Sequence, residues 1–318
     1  MVEPASPSVT IITPVFNVED LIERCIRSVQ AQTLGDYVHI IVDDASTDDT
    51  ARVVKEAAMS DPRIVLMEMS SNKGAYEARN LGLEHVTGDW VAFIDGDDEW
   101  PEDFLSQSVS ALMAAPENHV GTFSAVAWFD ESGRSLGVSE RSSGRYALPE
   151  VLQSWGNPAG NFSCFVFRAS LLEGVRFRTS ERVGGDAEMC LRLVSMVPQG
   201  ELLSLDRVFV KATKRPESAT AVMLTTDRYQ SLEYRLTTYL PLIDRNVRAS
   251  TFSQFALHLE MHADTNSRSS LDAWIKRQEI FLLSQVGVRR YLFAMANYRV
   301  RVWLRRSKRF LGSDRRNG

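Results

Sequence analysis

Three cysteines in 318 residues are too few for a disulfide framework. Cys25, Cys164 and Cys190 stand among apolar residues, and none has C-x-x-C spacing. They read as reduced core residues of a cytosolic chain. No run approaches the roughly 20 apolar residues that a spanning helix needs. Met1-Val2-Glu3-Pro4 opens without the basic and apolar stretches of a secretory leader. A soluble, cytoplasmic body is therefore expected. There is no G-x-G-x-x-G, which argues against a dinucleotide oxidoreductase. His39, His85, His119, His258 and His262 form no ligand set; the last two stand four apart with no third candidate beside them. No repeat with a 20–50-residue period is present, which excludes solenoids and propellers. With 18 Gly and 11 Pro, neither collagen nor long disorder is indicated.

What is present is an uneven charge. The net charge is −5, which argues against a chain-wide nucleic-acid binder. Residues 289–318, however, hold ten Arg or Lys against the single acid Asp314, so an acidic body carries a basic tail. The length suits two domains, or one large domain with an appendage.

The first hundred residues alternate strand and helix. Val9–Val15 reads as a buried strand. Val18, Leu21, Ile22, Cys25, Ile26 and Val29 then fall on one helical stripe, with Asn17 as the expected N-cap. The cycle repeats through strands Val38–Val42, Arg63–Met67 and Trp90–Ile94 and helices Thr47–Met59, Ala75–Val86 and Glu102–Ala114. Such alternation implies an α/β fold with a mainly parallel sheet. Further on, Val120–Phe129, Cys164–Arg168 and Leu202–Val210 read as strands and Asp186–Val197 as a helix. Glu131–Ser143 reads as a Ser/Gly-rich loop. Beyond about Thr225 only helical patterns remain. The expected division is a domain over 1–225 and a helical region over 226–318.

Ligands of open parallel sheets bind beyond the carboxyl ends of the strands. Those ends carry Pro14-Val15-Phe16-Asn17, Asp43-Asp44-Ala45-Ser46-Thr47-Asp48 and Asp95-Gly96-Asp97-Asp98. Ser46, Thr47 and Asp48 are adequate helix caps, whereas Asp43 and Asp44 follow directly on an apolar strand. Three carboxylates in four residues repel one another unless a cation or donors compensate, and an oxygen-only set favours Mg²⁺ or Mn²⁺. A solvated turn is the blander reading of the same cluster. Between the two clusters, Asn72-Lys73-Gly74 precedes a helix carrying Arg79 one turn in, a segment suited to anions.

Taken in order, Thr13–Asn17, Val42–Asp48, Asn72-Lys73-Gly74 with Ala78-Arg79-Asn80, and Gly88-Asp89-Trp90 with Asp95–Asp98 resemble the nucleotide-binding half of family 2 glycosyltransferases, over roughly residues 8–100. The resemblance implies a GT-A fold, with residues 1–100 taking a nucleotide-sugar donor and 101–225 the acceptor. It implies donor-binding roles for Pro14, Phe16, Asn17, Lys73, Arg79 and Gly96, with Asp43 at the nucleoside and Asp95 at the ribose or sugar. Asp97 would ligate Mn²⁺ or Mg²⁺ across the diphosphate. A UDP-sugar is the expected donor and a glycan or lipid-linked molecule the expected acceptor.

The resemblance also places a general base in Val183-Gly184-Gly185-Asp186-Ala187-Glu188, at Asp186. Gly185 stands where the family carries a preceding acid. A capping role for Asp186 is compatible with catalysis, and Glu188 is the alternative base. Lys214 and Arg215 follow a strand, where similar proteins close a loop over the diphosphate. The Gln-x-x-Arg-Trp signature of processive synthases is absent, so one sugar per binding event is expected.

In the tail, Val300, Trp303, Leu304, Phe310 and Leu311 alternate with Arg299, Arg301, Arg305, Arg306, Lys308 and Arg309. Such a face suits an anionic membrane surface; docking on the acidic body is the alternative. Three other functions compete with this reading. A sugar-1-phosphate nucleotidyltransferase would carry a Gly-rich basic loop after its first strand, unlike Pro14–Asn17. A phosphoacceptor receiver domain would be far shorter. A non-catalytic, membrane-associated scaffold with a degenerate GT-A fold takes its support from Gly185.

Overall fold

The computed structural model describes residues 8–139, 144–154, 156–180, 184–214, 225–248 and 250–252. The strands are β1 (Val9–Val15), β2 (Tyr37–Asp43), β3 (Ile64–Glu68), β4 (Trp90–Phe93), β5 (His119–Asp130), β6 (Ser135–Val138), β7 (Gly144–Ala147), β8 (Phe165–Arg168) and β9 (Glu201–Lys214). The helices are α1 (Ile22–Gln30), α2 (Thr50–Ser60), α3 (Ala75–Leu83), α4 (Phe104–Ala114), α5 (Leu148–Gln153), α6 (Gly185–Met196) and α7 (Thr225–Tyr239).

All strands join one sheet in the order β3-β2-β1-β4-β8-β5-β9-β7, with β6 on β5. β1 is buried along its whole length because it lies in the middle, parallel to both β2 and β4. Such a strand reads as a continuous apolar run rather than an alternation. The parallel pattern is interrupted inside the sheet by β8, antiparallel to both of its neighbours, β4 and β5, and β6 and β7 add antiparallel pairs on β5 and β9. β5 is thereby parallel to β4, and β9 is parallel to β5. The architecture is the α/β, mainly parallel arrangement expected from the alternation.

Details differ from expectation. Asn17 does not cap α1. The helix starts at Ile22 after a turn in which Val18 O accepts from Leu21 and Ile22 N–H. Asn17 sits at φ 49°, a left-handed conformation that Asn tolerates, and its side chain reaches the next loop instead. Nor is 131–143 all loop, for β6 pairs with β5 as a hairpin across it.

The chain divides into two compact units, Met1–Ala147 with Asn157–Met223, and Leu148–Gly156 with Leu224–Gly318. In the second, α5 packs on α7 and buries Leu152, Leu232, Leu236 and Leu240. Leu148–Gly156 thus clusters away from the 1–225 block in which the sequence reading placed it. Arg215, His258, His262 and the basic tail lie outside the described residues. Among the described residues, no helix is long and apolar enough to cross a membrane.

Candidate active site

Parallel pairing brings the strand ends to one edge of the sheet. Val15 lies beside Asp43, and Ile12 beside Phe93, so the loops after β1, β2 and β4 emerge together. The first two are stitched to each other. Asn17 N–H donates to Ser46 Oγ at 3.1 Å, and Asn17 Oδ1 accepts from Thr47 N–H at 2.8 Å. Val18 N–H donates to Thr50 Oγ1 at 2.8 Å. Asp48 accepts from Thr50 and Glu19 N–H, and the cap position of α2 falls to Asp49, which makes no side-chain cap bond. Pro14 is buried inside β1, while Phe16 is 42% exposed beside these loops.

The two acids ending β2 have different tasks. Asp43 is buried and accepts from the Ser46 hydroxyl and from Ser46 N–H. Asp44 is also buried. Its two oxygens accept from Lys73 N–H and Gly74 N–H, both at 2.7 Å. It therefore clamps the loop that opens α3, in which Gly74 stands at φ 94°. The Lys73 side chain is left exposed.

Arg79 points not at the start of α3 but inward. It is buried and pairs with Asp95 Oδ1 at 2.5 Å. Its guanidinium carbon lies 5.5–5.7 Å from the ring centres of Tyr76, Phe162 and Phe177. Burial opposes its charge, but Asp95, Tyr76 and Asp186 outweigh burial and raise its pKa. Asp95 keeps about a third of its side chain exposed, and its N–H is held by Ser163 Oγ at 2.9 Å.

Gly96 lets the loop lie against β1: a Cβ there would come within 2.7 Å of Val15 Cγ1. Asp97 is half-buried, and its carbonyl accepts from Arg24. Asp98 faces inward, where Asn161, Ser163 and the Thr213 N–H donate to it. Burial, then Asp97 and Asp95, push its carboxyl well above the usual range. The end of β9 is bound to the same loop, since Glu99 and Lys211 exchange backbone hydrogen bonds and Arg24 donates to Thr213 Oγ1 at 2.6 Å. Lys214 lies over Trp128, 5.1 Å from its ring centre.

Asp186 is not an N-cap. Gly184, at φ 78°, holds that position, and Asp186 sits half-buried in the first turn of α6. Its Oδ2 accepts from Asn157 at 2.8 Å, and its Oδ1 lies 3.5 Å from the Tyr76 hydroxyl. Glu188 points elsewhere, buried and paired with Arg192. Asp95, Arg79, Tyr76 and Asp186 thus form one connected line. Tyr76 and Asn157 escaped the sequence reading because their partners lie 110 and 29 residues away; only the aromatic one residue past the Gly74 loop could have drawn notice.

Comparison with known proteins bears on the family and the fold. A GalNAc(5)-diNAcBac-PP-undecaprenol beta-1,3-glucosyltransferase of Campylobacter jejuni is 32% identical over 196 residues, 59% of this chain and 60% of that protein. The chain spans less than two thirds of the length of each of the curated relatives considered. S. aureus TarS 1-349, solved with UDP-GlcNAc, superposes with a TM-score of 0.66 at 16% identity, covering 92% of this chain and 91% of that one. The mannosyltransferase PcManGT of Pyrobaculum calidifontis, solved with GDP-Man and Mn2+, gives 0.53 at 21% identity over 92% and 88%. These two likenesses establish the GT-A-like fold. A family model, "Glycosyl transferase family 2", matches residues 10–176, which run from β1 past β8 and include the loops after β1, β2 and β4. The chain belongs to glycosyl transferase family 2.

Proposed function

We propose that the protein transfers a single sugar, with inversion and metal assistance, from a nucleotide-sugar donor to an acceptor hydroxyl of a cell-envelope glycan or glycolipid. The observation that carries this reading is the line Asp95–Arg79–Tyr76–Asp186. It couples the donor edge of the sheet to a half-buried carboxylate on α6.

The donor would lie across the loops after β1, β2 and β4. Phe16 offers an exposed apolar face, and Asn17 and Asp43 line the nucleoside end. Lys73 and Lys214 would supply positive charge for the diphosphate, with Arg215, next in the sequence, as a further candidate. Asp95 would receive the ribose or sugar hydroxyls while Arg79 fixes its other oxygen. Asp186 would take the proton of the acceptor hydroxyl as that oxygen attacks the anomeric carbon, and the nucleoside diphosphate departs from the opposite face.

Among the described residues, no group of three or more His, Cys, Asp or Glu could hold a metal ion alone. The donor set at Asp95 and Asp97 is oxygen-only, with the buried Asp98 carboxyl beside it. It fits Mn²⁺ or Mg²⁺, which Asp97 would hold together with the diphosphate of the donor. A bound cation of this kind stabilises charge on the leaving diphosphate as a Lewis acid.

Support for a nucleotide donor comes from the UDP-GlcNAc and GDP-Man bound in the structural neighbours, and for a lipid-linked acceptor from the name of the Campylobacter relative. Uracil is the base we assign to the donor nucleotide, from the UDP and UDP-GlcNAc complexes of TarS. The basic tail would hold the enzyme peripherally at an anionic cytoplasmic membrane face.

Calorimetric titration of UDP, GDP and dTDP, with and without Mn²⁺, into wild type and Asp97→Ala tests the reading. Metal-dependent binding of one nucleotide, lost in the variant, is expected. No binding of any of the three would shift the assignment to a non-catalytic scaffold.

A further inference from the structure

We infer that Tyr76 is the positioning residue of the base: it fixes the first turn of α6 and the orientation of the Asp186 carboxylate. This rests on Asp186 being the base.

Three observations converge. First, the Tyr76 hydroxyl accepts from Gly185 N–H at 2.9 Å, so the ring is tied to the residue beside the base. That N–H belongs to the first residue of α6 and has no partner inside the helix. Second, with an acceptor lone pair so occupied, the phenol proton has Asp186 Oδ1 before it at 3.5 Å, while Asn157 holds Oδ2 at 2.8 Å. The carboxylate is thus addressed from both sides. Burial, then Asp186, push the Tyr76 hydroxyl well above the ordinary phenol range, so it remains a donor. Third, the ring has no room to yield. Its centre lies 5.7 Å from that of Phe177 with the planes 7° apart, and Arg79 lies 5.7 Å from the ring centre on a buried side chain. A Cβ at Gly185 would stand 2.9 Å from two ring carbons. Residue 185 is therefore bare because Tyr76 occupies its side-chain space, and the backbone of α6 approaches the ring closely enough for the hydrogen bond to form.

A positioning role acts through Asp186 and not through the fold, and a double-mutant cycle separates the two. The full-length protein is assayed for nucleoside diphosphate release from UDP-glucose and UDP-GlcNAc as wild type, Tyr76→Phe, Asp186→Asn and the double variant. Tyr76→Phe keeps the stacked ring and removes only the hydroxyl. We expect it to lower kcat about 10-fold with donor KM within about 2-fold, the scale of one hydrogen bond to a charged group. In the Asp186→Asn background it should have no further effect. Equal fractional losses in both backgrounds, or an unchanged kcat in Tyr76→Phe, would overturn the inference. If Asp186→Asn itself retains the wild-type rate, it is the base assignment that fails. An activity-independent arm uses thermal unfolding: Gly185→Ala should lower Tm beside Tyr76 and leave it unchanged in a Tyr76→Ala background. A Tm cost that persists without the ring would count against the steric pairing.

Discussion

Neighbouring acids of one sequence cluster do different physical work. Asp44 contributes both oxygens to two backbone N–H groups, whereas Asp43 satisfies its own turn through Ser46. Removing a buried acceptor leaves its donors unpaired at about 1–3 kcal/mol. Asp44→Ala should therefore lower the unfolding free energy by about 2 kcal/mol and loosen the Lys73–Gly74 loop, measured by urea denaturation and by hydrogen exchange of those two amides. Retained protection at Gly74 would contradict the clamp. This division of labour was not readable from the string Asp43-Asp44, because it is decided by partners 3 and 30 residues away. The positions of the acids at a strand end were readable, since an apolar strand stops there.

His39 makes a second case at this scale. It is buried in β2 with its Nε2 2.8 Å from Thr13 Oγ1, and burial lowers its pKa to about 3, with Asp61 opposing weakly. Above the ordinary value of 6.5, neither folded nor unfolded chain binds the proton and the residue adds no pH dependence. Below it, the unfolded chain takes up a proton that the folded chain refuses, and stability falls as pH falls towards 3, by up to about 1.4 kcal/mol per pH unit. His39→Gln should flatten the fall in unfolding free energy between pH 6 and 4 by about one proton. An undiminished slope would mean that the histidine is charged in the folded state.

At the scale of elements, what decides legibility is burial. β1 to β4 and α1 to α4 stand out because their apolar residues follow the period of the element that buries them. β6 is exposed at all four positions and β7 at two of four, so neither carries an apolar pattern, and both exist through pairing to β5 and β9. The antiparallel insertion of β8 is a topological choice that no local pattern encodes. Close packing between elements shows in the small residues. Gly82 of α3 faces Ile12 of β1, and a Cβ would come within 2.6 Å of Ile12 Cγ2. Gly82→Ala should cost about 1–3 kcal/mol by overpacking, while Gly35→Ala, whose nearest neighbour is 3.8 Å away at the tip of Arg63, should change the unfolding free energy by less than about 0.5 kcal/mol. Comparable midpoints for the two would show that α3 shifts freely on the sheet.

At the scale of the whole molecule, charge separates the body from its last thirty residues. Attraction of each basic residue to an anionic surface is worth about 1 kcal/mol and is weakened by salt. Removing residues 299–318 should abolish sedimentation with anionic vesicles and spare nucleotide binding; vesicle binding that survives the truncation would exclude the tail as an anchor.

The placement of β8 also governs how this protein could be rebuilt. Its four residues, from the second half of the family match, form, among the described residues, the only bridge in the sheet between β4 and β5. Ser163, just before β8, holds the Asp95 N–H and Asp98. A first half cut at about residue 115 would lose the neighbour of its last strand and the support of its acid loop together. The separable part is therefore discontinuous: a graft of the β1–β4 edge has to carry 161–168 along with 8–114. In folding, too, the β4 loop must wait for a segment more than sixty residues downstream before its carboxylates are in place.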